Sequence, residues 1–337
     1  MASKASSKGE ILRLISGLII SLGAIGLIFL VVDVHEVGIA LKDANLLLLL
    51  FAVPIYVISF GARAMGWRSL LKKEVPFRRV FLVMNVGYLL NNILPFRMGE
   101  IGRTILLGRT HGYLRVLATI IMERSFDLIF AASLLLGTLP FALTGNQMQA
   151  RMTGFIVGGF VVIAFLLLYL VVRFPLSVKR IIERIFVRRA DIVKILHEKL
   201  ESVLQGLSVL SNLKRFMIVL SWMGLGWALA ILVQYIVLKS VVPQAEIAWA
   251  AFVLASSSLG VAIPSSPAYV GVFEGVVIGA LAFFKVETSQ ALAFALIYHM
   301  MYIAVTGLFG VIGLAKEGQN LGLLYRQIRE RRFGKGA

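Results

Sequence analysis

Leu94-Pro95-Phe96-Arg97-Met98-Gly99-Glu100-Ile101-Gly102-Arg103 breaks an apolar run with a proline and then sets three charges into it. Ile263-Pro264-Ser265-Ser266-Pro267-Ala268-Tyr269-Val270-Gly271-Val272-Phe273-Glu274 does the same far downstream, with two prolines and a terminal carboxylate. Helical backbone broken at membrane depth is tolerated where it is buried in protein or lines a cavity. A pair of such breaks in corresponding halves of a chain points to a transporter's binding site.

The rest of the chain makes membrane depth the right frame. Of 337 residues, 59% are hydrophobic and the mean hydropathy is +0.90, which indicates an all-α polytopic membrane protein. Runs such as Leu46 to Leu50 and Phe165 to Leu168 lack the alternation of barrel strands. The absence of cysteine excludes disulfides, thiolate catalysis and Cys-ligated metal centres. The first apolar run, Leu14 to Val32, follows Lys4, Lys8 and Arg13. It is longer than a signal-peptide core and no small-x-small site follows, so an uncleaved first span is expected.

A net charge of +17 would suggest nucleic acid in a soluble protein. Its placement says otherwise, because 26 of the 34 Lys and Arg fall on one side of the alternating spans. That is the positive-inside signature. It predicts a multi-pass protein of the cell membrane with both termini cytoplasmic and no nucleic-acid partner.

Hydropathy places spans at 11–32, 45–67, 119–140, 152–172, 216–238 and 290–314, and two broken hairpins, 77–93 with 97–108 and 248–263 with 268–284. This predicts about eight transmembrane elements in a single integral membrane domain over 1–337. The first repeat (45–140) and the second (216–314) are expected to be inverted copies, each holding one broken or re-entrant hairpin. Residues 173–215 read as a basic amphipathic cytoplasmic segment and 315–337 as a basic tail.

Four arginines and four carboxylates lie at membrane depth: Arg63, Arg97, Arg103 and Arg124 against Glu100, Glu123, Asp127 and Glu274. Each costs about 2.5–3.5 kcal/mol at a helix centre, so they are expected to pair or face water and to mark a substrate path. Glu100 is three residues from both Arg97 and Arg103, which predicts local neutralisation along one helix face. Glu123 and Asp127, four apart, repel unless a cation, a proton or an arginine stands between them, with Arg63 and Arg97 the candidate partners. Helices restarting after Pro95 and Pro267 would aim free N–H groups at the break, a ready anion site. Ser265 or Ser266 would cap the second, and Asn91 and Asn92 would satisfy freed backbone groups or contact a headgroup. His299 reads as a packing hydrogen bond in its span.

The segment Asn91-Asn92-Ile93-Leu94-Pro95-Phe96-Arg97-Met98-Gly99-Glu100-Ile101-Gly102-Arg103, followed by Pro264-x-x-Pro267-x-x-x-Gly271-x-x-Glu274, resembles the flippase-like transmembrane family. This is the membrane region of lysylphosphatidylglycerol synthases, which also occurs as stand-alone proteins. The similarity runs over roughly residues 10 to 315. It implies a lipid translocation domain with a cavity between two re-entrant hairpins, and it places Arg97, Glu100, Arg103 and Glu274 at the family's charged motif positions. The second motif departs at Ala268, where glycine commonly follows the proline. With 23 residues after Leu314, neither the synthases' soluble aminoacyl-transferase domain nor its activity is expected.

Together these readings predict a lipid transporter or flippase, not an enzyme, with no cofactor and no metal site. The phosphate of a headgroup would meet arginines and helix N-termini. Glu100, Glu123, Asp127 and Glu274 would balance charge or bind an amine. Candidate partners are an anionic phospholipid, an aminoacylated phospholipid or a polyprenyl-phosphate carrier, with a homodimer or a separate synthase as protein partner. No Gly-x-x-x-x-Gly-Lys-Ser/Thr loop is present, which leaves a gradient, proton coupling through a carboxylate, or no driving force. Two other classes compete. A scaffold would recruit a separate lipid synthase or glycosyltransferase through its basic face. An intramembrane lipid-modifying enzyme would use Glu123 and Asp127 on a divalent ion, although His-Glu-x-x-His and Gly-x-Ser-x-Gly are both missing.

Overall fold

The computed structural model describes residues 32–94, 97–143, 147–174, 211–261 and 266–333, with six positions between 22 and 30. Every element among them is helical: α1 Val34–Lys42, α2 Leu46–Leu70, α3 Phe77–Ile93, α4 Met98–His111, α5 Tyr113–Leu143 and α6 Gln147–Arg173 in the first part. The second part holds α7 Leu213–Val241, α8 Ile247–Gly260, a 3-10 turn at Pro267–Tyr269, α9 Val272–Ala282, α10 Thr288–Lys316 and α11 Leu321–Phe333. Most of the expected first span and of the segment 173–215, together with Pro95, Pro264 and Ser265, lies outside the described residues.

Four described helices, α2, α5, α7 and α10, are long and apolar enough to cross a membrane. Those flanking the two breaks are short. α3 has 17 residues, α4 and α8 have 14 each and α9 has 11. At 1.5 Å per residue they reach about 26, 21, 21 and 17 Å, less than the ~30 Å of bilayer hydrocarbon. Each pair folds back on itself, α3 on α4 and α8 on α9.

Long helices join the two parts. α2 lies along α7, while α3 packs on α10 and α8 on α5, so the helix before each break rests on a long helix of the other part. Small residues set the depth of these contacts. A Cβ on Gly226 of α7 would come within 2.8 Å of Arg63 Cγ, and one on Gly99 of α4 within 1.9 Å of the Gly87 carbonyl oxygen. α3 and α4 therefore touch backbone to backbone.

Two helices lie where the sequence reading has none. Asp33 caps α1 by accepting from the His35 N–H at 2.8 Å and the Glu36 N–H at 3.5 Å, and Val37 buries that short helix against α10. Within the expected tail, Asn320 caps α11, and Leu324 and Ile328 are fully buried where it meets α4. Both caps follow the rule that Asp or Asn precedes the first apolar residue of a helix. At the α2–α3 connection, the Arg115 guanidinium, 2.7 Å from Glu74, holds that carboxyl below its usual range.

Candidate functional site

The site begins at the first break. Arg97 precedes α4 with φ of 50°, in the left-handed region that side-chain-bearing residues rarely occupy. This turn swings its guanidinium away from α4, and Nη2 donates to the Val261 carbonyl at 2.7 Å, just before the second break. Its guanidinium carbon sits 5.9 Å from the centre of the Tyr269 ring. Asn91 meets the expectation for freed backbone groups by accepting from the Gly99 N–H at 2.7 Å. Asn92 instead donates to Thr306 at 3.1 Å.

Nearly two turns further on, Arg103 points into the packing between α4 and its neighbours. It is 1% exposed, lies with its guanidinium carbon 3.8 Å above the Trp67 ring, and forms an ion pair with Glu123 of α5, which is 0% exposed. Arg63 Nη2 donates to both oxygens of Asp127, at 2.9 and 2.7 Å, and stands 3.7 Å from Glu123. Asp127 also accepts from Trp227 Nε1 and Arg124 Nη1, each at 3.1 Å. Arg124 Nη2 lies 3.4 Å from Glu100.

The predicted local neutralisation of α4 is therefore corrected. Glu100 pairs with Arg124 of α5, and Arg103 with Glu123. The reason is direction: the tight Gly87–Gly99 contact fixes which face of α4 meets α3, and that rotation carries Arg103 toward α2 and α5. The expectation that an arginine separates Glu123 from Asp127 holds for Arg63 and fails for Arg97. With that guanidinium between the two carboxylates, they do not present an open divalent-ion site.

Seven of the predicted residues, Arg97 among them, thus bring four arginines and three carboxylates together. Three arginines have carboxylate partners, and Arg97 has none among the described residues. Its buried Nε is without a hydrogen-bond partner, as is that of Arg124. Arg63, Arg97, Arg124 and Asp127 all line a cavity of about 410 Å³. Six aromatic rings, of Tyr56, Phe60, Tyr88, Trp227, Tyr298 and Tyr302, line it beside smaller aliphatic and serine side chains. The sequence reading missed most of these rings. Tyr56, Ser59, Phe60 and Arg63 follow the i, i+3, i+4, i+7 spacing of one helix face, a signal that would have found that wall.

Glu274 stands apart from this cluster. Its Oε2 accepts from the Gly271 N–H at 2.7 Å, and its Oε1 lies 2.6 Å from Nδ1 of His299. The helix N-terminus after the second break is thus closed by the chain's own carboxylate, which corrects its reading as an open anion site. Ser266 does not cap that helix: its hydroxyl donates to the Val270 carbonyl at 3.1 Å. His299 does make a packing hydrogen bond, and the partner is the motif carboxylate.

The residue pattern matches the family described as the lysylphosphatidylglycerol synthase TM region over residues 14–310. The chain belongs to this family. The UPF0104 membrane protein MJ1078 of Methanocaldococcus jannaschii is 26% identical over 234 residues, which is 66% of this chain and 92% of that protein. Family membership and the long apolar helices make the chain a multi-pass membrane protein. Within the family match, Arg97 lines the cavity, Glu100 and Arg103 pair with Arg124 and Glu123 of α5, and Glu274 holds the second turn.

Proposed function

We propose that this protein moves a phosphate-bearing lipid headgroup across the cell membrane. The observation that carries the reading is Arg97: a cation without a carboxylate partner among the described residues, on the wall of a 410 Å³ cavity, with Nε unpaired. A phosphate would supply the missing acceptor through charge-assisted hydrogen bonds to Arg97 and Arg124. The aromatic walls suit the glycerol or isoprenoid stem next to it, while acyl or prenyl tails stay in the bilayer. An anionic phospholipid, an aminoacylated phospholipid and a polyprenyl phosphate share that phosphate chemistry.

The two short helix pairs serve as re-entrant hairpins in this reading. Their exchanged packing, α3 on α10 and α8 on α5, is the pattern that two inverted repeats would generate. Both termini are cytoplasmic, on the basic side. Lipid-related function in the family supports the substrate class.

The test is transbilayer movement of fluorescent phosphatidylglycerol in proteoliposomes. Arg97→Ala is expected to slow movement roughly 10- to 100-fold, the ~1.5–3 kcal/mol value of hydrogen bonds to a charged group. Arg97→Lys should recover part of it. Movement equal to empty liposomes for every headgroup would sink the reading and favour a scaffold.

A further inference from the structure

Glu274 and His299 form a second charged unit that the arginine cluster does not use. They are 5% and 4% exposed. A helix cap requires one acceptor, which Oε2 already provides to Gly271. The other oxygen is committed to an imidazole, the side chain that titrates nearest neutral pH. The same imidazole forms part of the wall of a second chamber of about 180 Å³. That chamber shares Tyr56, Ser258, Val261, Tyr298 and Tyr302 with the larger cavity, so the pair adjoins the space assigned to the headgroup.

The surroundings hold little else that titrates. α10 itself contributes Tyr298 and Tyr302, α2 contributes Tyr56, and the 3-10 turn contributes Tyr269, with Arg97 beyond its ring. α8 brings Ser257 and Ser258. α3 carries Tyr88 toward Tyr302. On α7, Lys239 is bound to Tyr235 at 3.0 Å, and on α1, His35, Glu36 and Lys42 are exposed. Among the described residues no other ion pair reaches Glu274 or His299.

Resting on the reading above, we infer that the Glu274–His299 pair takes up one proton when an anionic headgroup occupies the adjoining space, so that lipid and proton move together. With neutral imidazole the pair carries one negative charge, and with imidazolium it carries none. An anion brought alongside disfavours the first state and favours the second. The proton comes from water and ends on the imidazole, and only an N–H bond is made. One phosphatidylglycerol anion with one proton is an electroneutral cargo. Its distribution would follow a pH gradient and ignore membrane potential.

Two readouts separate this inference from the transport reading. In proteoliposomes with labelled phosphatidylglycerol, a gradient of about one pH unit is expected to shift the leaflet ratio toward the tenfold limit for one coupled proton. A potassium–valinomycin potential should not shift it. Glu274→Gln keeps an acceptor for Gly271 and a donor for His299, and should abolish the response to pH. Separately, protein labelled with ¹⁵N-histidine in detergent, with His299→Gln for assignment, should show the His299 titration moving to higher pH on adding dihexanoyl-phosphatidylglycerol. Movement that ignores the pH gradient, or a His299 titration indifferent to the lipid, overturns the inference and leaves the flippase reading standing. No movement together with a shifted titration sinks transport and supports proton-linked binding. No movement with no shift overturns both.

Discussion

The two broken hairpins use the same backbone device and finish it in opposite ways. At the first, Arg97 enters the left-handed region at φ 50°. At the second, Ala268 and Tyr269 do so at 55° and 61°, followed by Gly271 at 84°. After the first break Arg97 makes no cap bond of its own, the neutral amide of Asn91 takes the Gly99 N–H, and the Arg97 cation is turned to the cavity. After the second, Glu274 folds back over the N-terminus of α9 and ties it to His299. One break leaves a cation facing the cavity, and the other is closed by a carboxylate of the chain. Matching sequence motifs in two halves need not make matching sites, because the side chain placed at each break sets the charge there.

The largest test of this asymmetry falls on the support of the open side. Glu123→Ala leaves Arg103 charged and buried without its partner, which should cost about 3–5 kcal/mol of stability, read as a lowered unfolding midpoint in a detergent titration. A loss under about 1 kcal/mol would mean that Trp67 alone suffices to hold Arg103. Next comes the fit of the hairpins. Gly99→Ala drives a methyl group into the Gly87 carbonyl and should cost about 1–3 kcal/mol. Gly275→Ala, at the corresponding start of α9 and with nothing within 4 Å of the new Cβ, should be neutral or slightly favourable. Equal melting temperatures for the two variants would break the claim that the hairpins pack differently. A change no larger than these is expected at Ala268, where glycine would relieve left-handed strain. Ala268→Gly is expected to raise stability by about 1 kcal/mol, visible as a few degrees in the melting temperature.

Much of the cluster was legible because charge at membrane depth is expensive and must be answered. Arg63, Glu100, Arg103, Glu123, Arg124 and Asp127 stand out on that ground alone, and they do converge. Their pairing was less legible. Sequence spacing gives distance along one helix, but which way a side chain points depends on the face that packs. Here the Gly87–Gly99 contact sets that face for α4. Trp67 and Trp227 escaped notice because an indole in an apolar helix looks like core until a guanidinium or carboxylate is found beside it. The helices α1 and α11 were missed for another reason: hydropathy finds spans, while these two are short and announced only by their Asp33 and Asn320 caps.

The stem of Arg63 fills the notch that Gly226 leaves where α2 crosses α7. Asp127 of α5 takes its bonds from Arg63 of α2 and from Trp227, the residue next to Gly226 on α7. One carboxylate thus pins three helices at a single crossing, and parting any two of them would strand a buried charge.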